Sequence, residues 1–407
     1  MATRWIIGVA SGSSGDGVDA ALLELEGCGL ETSARILNTV HEPWADQLRQ
    51  MSRRIARSPC EPNDLSLAHR LLGESFAAAA RRIADRASFS LQKVQCLGCS
   101  GHTIWGEPDG RFPSLLNLGM AAIVAERTGV TTVSDFRSRD LAAGGLGAPL
   151  AALTDYILFR GYHADEDRLL IHLGTVAQVV HLPPHCRIQE IAGFDAGPCN
   201  LLLDSLMQHM TNGQEEFDAG GKHAVQGRCL EPLLNHWLHH PFLERKPPRS
   251  LPRHAFGEAF ATQAVRQAKA QNWNPFDLLC TATHFVVRTL ADAVQRFLPV
   301  SGSNGRRVLV SGGGTRNGLL RHLLQQHLGG AEDSDVAGVP WQSRKAVAAA
   351  ILAALCVDGV PANLPQVTGA IGSRLLGSVT PGSPANWSRC LAWMAHQVST
   401  VPQAQAA

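Results

Sequence analysis

Little in this chain is extreme, and each shortage removes a class of function. Aromatic residues make up only 6% of it, with two tyrosines, and 36 Lys plus Arg stand against 35 Asp plus Glu. General nucleic-acid binders and proteins that adhere to anionic membranes need a basic surface, so neither partner is expected. No apolar run reaches the ~18 residues of a membrane span. The opening MATRWIIGVASGSSGDG turns to Gly and Ser without a signal-peptide core, so a cytoplasmic protein is expected. Ten cysteines are scattered, and only Cys96 and Cys99 form a CxxC pair. With no second pair or nearby His ligands, reduced and mostly buried thiols are a better reading than zinc. A short repeat of the solenoid kind is also missing.

What is present fits a soluble globular chain. Its 407 residues are 45% hydrophobic and 17% charged, and the length is enough for two domains. Trp5–Ala10 predicts a short strand, Ser11–Gly17 is turn-rich, and Val18–Glu26 is again strand-like, so the two runs read as a hairpin. Leu65–Ala87 and Met120–Arg127 predict helices, with strands at Val94–Gly98 and Val130–Val133. This alternation gives an α/β class with helices packed on a sheet. A second series opens near Arg168, with strands at Leu169–Leu173, Ala177–Leu182 and Arg307–Ser311. Its helices are expected over Asn200–Met210, Ala261–Ala270, Asp277–Phe297 and the Ala-rich Arg344–Val357, with a loop over Pro241–Pro252. Two strand–turn–strand openings, roughly 160 residues apart, hint at two related halves.

Four constellations carry candidate chemistry. The first is Gly12-Ser13-Ser14-Gly15-Asp16-Gly17, followed by Val18 and Asp19. Its glycines let backbone N–H groups approach an anion, and its hydroxyls donate to phosphate oxygens. Asp16 and Asp19 could hold Mg²⁺ through its waters. No Lys follows, so this is not a GxxxxGK[ST] loop; a plain hairpin turn is the other reading. The second is Gly193 to Asn200, read as a Gly/Pro turn that sets Asp195 near a helix N-terminus as a general base, or as a simple helix cap. The third, Ser311 to Asn317, runs a strand into Gly312-Gly313-Gly314 and suits an adenosine or a tight connection. The fourth, Asp135 to Pro149, sets Arg137 and Asp140 beside glycines, where Arg could grip a sugar carboxylate or merely join a surface ion-pair cluster.

Order and spacing join these signals. The run from the hairpin through DFRxRDxAAGGxGAPL, GFDxGP and GGGxxN to VTGA at Val367–Ala370 closely resembles the anhydro-N-acetylmuramic acid kinase family over nearly the whole chain. The resemblance implies a two-lobed, actin-like (ribonuclease H-like) α/β fold, mixed sheets with flanking helices, and a small sugar and ATP with Mg²⁺ as ligands. A homodimer is compatible with it. It implies lobes over 1–150 and 151–374, with about 375–407 packing back on the first. It also implies an enzyme of cell-wall recycling that hydrolyses the 1,6-anhydro bridge of anhydro-N-acetylmuramic acid and phosphorylates O6. Asp195 falls at the catalytic base. Gly12 to Asp19, Gly174, Gly197, Gly312 to Gly314 and Asn317 fall on the nucleotide side, with Asp16 at the metal. Arg137 and Asp140 fall on the sugar side.

The chain departs from the family pattern at several points. SHGQT becomes Cys99-Ser100-Gly101-His102-Thr103, and NIGGxAN becomes His172-Leu173-Gly174-Thr175-Val176-Ala177-Gln178. GPGN becomes Gly197-Pro198-Cys199-Asn200, KSTGRE becomes Arg249-Ser250-Leu251-Pro252-Arg253-His254, and Lys345 stands where the family has Glu. A relative that binds nucleotide without turnover, or a kinase for a different small sugar, would explain the same substitutions.

Overall fold

A computed structural model describes residues 3–12, 15–57, 59–108, 110, 113–298 and 305–400. In chain order the strands are β1 (Thr3–Ser11), β2 (Gly17–Glu26), β3 (Ser33–Pro43), β4 (Val94–Cys99), β5 (His102–Glu107), β6 (Ser114–Leu118) and β7 (Thr132–Ser134). They continue with β8 (Asp167–Leu173), β9 (Val176–Leu182), β10 (Ala192–Pro198), β11 (Arg306–Ser311), β12 (Glu332–Asp333) and β13 (Ser378–Thr380). One sheet runs β13-β7-β4-β1-β2-β3, and the other runs β10-β9-β8-β11-β12. In each, three consecutive strands form an antiparallel meander and two later strands join in parallel beside the first. The ribonuclease H-like plan is thus present twice, and the actin-like α/β class expected from the sequence is the fold of this chain.

A pair of glycines decides how the halves meet. Gly8 of β1 lies opposite Gly98 of β4. A Cβ at Gly8 would come 1.9 Å from the Ala346 carbonyl oxygen, and one at Gly98 would come 2.0 Å from that of Ala349. Bare backbone on the sheet and alanines on the helix therefore let Arg344–Val357 lie directly on β1 and β4. The same helix packs with Ala152, Leu153 and Ile157, and with Leu170, Val180 and Leu182 of the second sheet, in one buried cluster. Burial of this kind is worth about 25 cal/mol per Å² of apolar surface. It fixes the N-terminal turn of the helix, including Lys345, beside the glycine-rich hairpin. Arg344 anchors that turn through a buried ion pair, its Nε 2.8 Å from Asp155 Oδ1.

The outer faces are closed by other helices. Phe76, Ala80 and Ile83 of Pro62–Arg86 cover Ile7, Leu22 and Leu97. That helix starts on Pro62 after a reciprocal capping box between Glu61 and Asp64, which satisfies its first N–H groups. Asn200–Met210, Pro275–Phe297 and Gly318–Leu328 cover the second sheet.

Several local expectations need correction. Gly193–Pro198 is not a turn: Ala192–Pro198 is β10, paired with β9, with a register shift between Asp195 and Gly197. Its glycines and proline suggest a turn, but pairing to β9 and burial make it a strand, with Pro198 at its end. Residues Pro241–Glu244, within the expected loop, form a short helix. Cys96 and Cys99 are three apart in β4 and belong to different buried clusters. Odd spacing in a strand sends side chains to opposite faces, so this CxxC cannot close on one ion.

Candidate active site

Asp195 sits on β10 and is only 3% exposed. Gln178 Nε2 donates to its Oδ1 at 2.9 Å, while Ser250 Oγ and the Leu251 N–H donate to Oδ2 at 3.0 and 2.7 Å. The donors come from β9 and from the segment that follows Arg249. Arg249 fixes that segment: its buried guanidinium donates to the carbonyl oxygens of Asp195, Ala196, Leu243 and Arg245. Burial pushes the Asp195 carboxyl above its ordinary value, and the Leu251, Gln178 and Ser250 hydrogen bonds and nearby Arg137 only partly offset it. A carboxylate so placed is more basic than usual yet still oriented.

Asp195 lines a cavity of about 140 Å³ together with Arg137, His172, Gly174, Ser250, Arg253 and Lys345. Burial, helped by Arg137 and opposed by Asp19, brings the Lys345 ammonium down to about 8. Arg137, assigned to the sugar, lines this space. Asp140 does not. It is fully buried, and its carboxylate accepts from the Gly147 N–H, Asn363 Nδ2 and Thr368 Oγ1 at 2.8, 2.7 and 2.7 Å. Those bonds clamp the Gly144–Ala148 loop to the segment around Thr368.

The nucleotide-side residues divide in the same way. Ser13 and Ser14 lie outside the described residues. Gly12, Gly15 and Asp16 lie in the β1–β2 turn and Gly17 opens β2; Asp16 is exposed and its backbone oxygen accepts from the Trp44 N–H at 3.0 Å. Asp19 pairs with His41 at 2.8 Å, and this hydrogen bond raises the His41 pKa. Val18 points into the core. Gly174 lines the cavity, but Gly197 packs against Thr289, where a Cβ would come 2.6 Å from Oγ1. Gly312 has φ +91°, and a Cβ there would meet the Leu173 oxygen at 2.7 Å, so the Gly312–Gly314 turn lies tight on the end of β8 with Gly313 exposed. Asn317 is spent on a cap, its Oδ1 accepting from the Leu320 N–H at 3.1 Å. The N-terminus of Asn200–Met210 is not open to an anion either, because Asn200 and Leu201 donate to the Gly174 and Thr175 carbonyls.

Other departures resolve locally. Cys199 has φ −140°, outside the left-handed region that requires glycine. Leu251 uses its backbone N–H on Asp195, so losing a threonine side chain there leaves that bond intact. His102 does not line the cavity. Its Nδ1 lies 3.2 Å from Ser11 Oγ, its Nε2 3.1 Å from Ser52 Oγ, and its ring edge-on to Trp44. Burial, aided by Arg253 and Lys345, pushes it down to about 4. As a neutral brace it ties the end of β1 to the helix Asp46–Arg57.

Sequence reasoning missed Gln178 as a partner of Asp195, the Arg249 anchor, and His172. All three belong to motifs already noted, but Gln178 and Arg249 meet Asp195 across 17 and 54 positions, and His172 meets Ser311 across 139. Arg316 over the Trp341 ring, 4.9 Å from its centroid beside the Gly312–Gly314 turn, also left no mark in the sequence.

A duplicated ribonuclease H-like frame holding an oriented, buried carboxylate at the wall of a cavity defines a protein of the actin-like class. The anhydro-N-acetylmuramic acid kinase family matches residues 4–382, and the chain belongs to that family. A relative of that name in Gloeobacter violaceus is 38% identical over 381 residues, covering 92% of this chain and 98% of the relative. One in Acaryochloris marina is 35% identical over 382 residues, with 92% and 99% coverage. Among solved structures, component A of the Acidaminococcus fermentans (R)-2-hydroxyglutaryl-CoA dehydratase is 12% identical with a TM-score of 0.43, covering 86% of this chain and 96% of that one.

Proposed function

We propose that this chain is an ATP-dependent kinase that opens the 1,6-anhydro ring of 1,6-anhydro-N-acetylmuramic acid and phosphorylates O6, giving N-acetylmuramate 6-phosphate and ADP in cytoplasmic cell-wall recycling. The observation that carries this reading is the Asp195 carboxylate, buried and held by three donors at the wall of the cavity. Three donors leave one lone-pair direction, on Oδ1, for the proton of an attacking water. Its raised pKa makes it a stronger base than an exposed aspartate. Water adds to C1, the C1–O6 bond breaks, and the freed O6 attacks the γ-phosphorus with ADP leaving.

ATP supplies the phosphoryl group. The β1–β2 turn and the turns at Gly174 and Gly312–Gly314 would hold its phosphates and nucleoside. Asp16 suits Mg²⁺: one exposed carboxylate beside a phosphate turn is the donor set of an ion that keeps several waters. Arg137 would hold the sugar carboxylate. The segments 1–150 and 151–374 are the proposed lobes, closing on the cavity.

A coupled assay with Mg-ATP and 1,6-anhydro-N-acetylmuramic acid tests the proposal. Sugar-dependent ADP release is expected. A protein whose melting temperature rises with nucleotide but which releases no ADP would overturn it.

A further inference from the structure

One buried polar atom on the cavity wall takes no part in the phosphoryl-transfer scheme. His172 lines the cavity with Asp195 and Gly174, at the position where the family pattern carries Asn. It is 5% exposed, and its Nε2 has no hydrogen-bond partner among the described residues. The strand ladder fixes what kind of group this is. Ser311 of β11 stands opposite His172 of β8, and its hydroxyl donates to the Ile171 carbonyl at 3.4 Å. With that proton spent, Nδ1 carries the imidazole hydrogen and donates it to Ser311 Oγ at 3.1 Å. Nε2 is therefore a bare lone pair. Burial, with the charges of Arg344 and Lys345, pushes the ring pKa well below its ordinary value, which keeps that lone pair unprotonated.

A buried acceptor without a donor is costly, so the site is complete only when a ligand supplies one. Two glycines keep the way to it clear. A Cβ on Gly174 would lie 2.9 Å from His172 Nε2 and 3.1 Å from its Cδ2, and one on Gly312 would lie 2.9 Å from its Cε1. The edge of the ring thus rests against bare backbone, and a side chain at 174 would cover the lone pair. Gly174 itself lines the cavity, so a ligand held there reaches Nε2 past it. The chemistry of the ligand group follows from its neighbours. A phosphate or carboxylate oxygen brings only lone pairs and cannot pair with this one. An ammonium would meet Lys345 and Arg137 on the same wall. A neutral hydroxyl satisfies both conditions.

We propose that His172 Nε2 accepts a hydrogen bond from a sugar hydroxyl of the bound substrates, which makes position 172 a specificity determinant of this cavity. Two molecules offer that chemistry. In 1,6-anhydro-N-acetylmuramic acid O1 and O6 lie in the bridge and O3 in an ether, so O4 is the ring hydroxyl. The ribose of ATP offers O2′ and O3′. A site that pairs with a hydroxyl rejects the analogue lacking it, because its own polar group is then left buried and unmade. The inference rests on the kinase reading for the identity of the sugars, but its test uses binding and protonation state alone.

Titration calorimetry on the full chain would compare wild type with His172→Leu, which removes the acceptor, and His172→Asn, which keeps an acceptor oxygen. The probes are 1,6-anhydro-N-acetylmuramic acid with its 4-deoxy counterpart, and ADP with its 2′-deoxy and 3′-deoxy counterparts. Wild type should prefer one hydroxylated probe over its deoxy partner by about fivefold or more, the scale of one hydrogen bond to a buried acceptor. His172→Leu should erase that preference, and His172→Asn should keep part of it. Erasure confined to the aminosugar pair assigns O4, and erasure confined to the ADP set assigns the ribose. Nitrogen-15 NMR of the wild-type imidazole needs no variant to fold: Nε2 should resonate as a bare nitrogen and Nδ1 as a protonated one. A proton on Nε2 would overturn the proposal. So would preferences in a folded His172→Leu protein equal to those of wild type, or a wild type that discriminates in neither set. Failure of the kinase reading would look different: a hydroxyl preference that depends on His172, without sugar-dependent ADP release.

Discussion

β3 and β10 hold the same place in the two sheets, the outer strand of an antiparallel meander, and have different fates. Most of β3 is partly or fully exposed, while six of the seven residues of β10 are buried. Among the described residues no strand pairs with the outer edge of β3. The edge of β10 is covered by the segment at Arg249–Leu251, which accepts from the Asp195 N–H at 3.2 Å and donates back to its carboxylate. Covering one edge of a repeated scaffold is what buries and orients a strand aspartate. The second contrast lies between the sheet centres, since only the first carries the facing Gly8 and Gly98 that admit a helix onto bare backbone.

Substitutions can break these contrasts. The largest effect is expected from Arg344→Ala, which strands the fully buried Asp155 and should cost about 3–5 kcal/mol in a denaturant melt. Acidification should loosen the hairpin side. The folded-state pKa of His102 is depressed to about 4 from 6.5, so its contribution is present above the unfolded value and lost as pH falls from about 6.5 toward 4. Full loss corresponds to roughly 3 kcal/mol, and a His102→Gln variant should show a flatter stability profile across that window. Gly98→Val forces a side chain into the Ala349 carbonyl and should destabilise by about 1–3 kcal/mol. The smallest effect is Asn317→Ala, the loss of one helix cap, at about 1 kcal/mol by thermal melt.

Much of the frame was legible because its signals are local. The hairpin at Trp5–Glu26, the second opening at Leu169–Leu182 and the Ala-rich helix follow from periodicity and composition. β3 escaped notice because an edge strand with polar residues such as Asn38 and His41 lacks a clean alternation. β10 was hidden by glycines and a proline that normally mark turns. The site was less legible than the fold, for a physical reason. Asp195 stood out through its motif, but what orients it is burial and donors from positions 178, 250 and 251. Asp140 looked like a ligand-binding carboxylate, yet its partners Asn363 and Thr368 lie 223 and 228 positions away, and sequence spacing carries no trace of such bonds.

The most direct test of the central claim is Asp195→Asn, measured for sugar-dependent ADP release and for the melting shift produced by nucleotide. Removing the base should lower turnover by about 10²–10⁴-fold while the nucleotide-induced shift persists. Turnover at the wild-type rate in a folded Asp195→Asn protein would contradict the account.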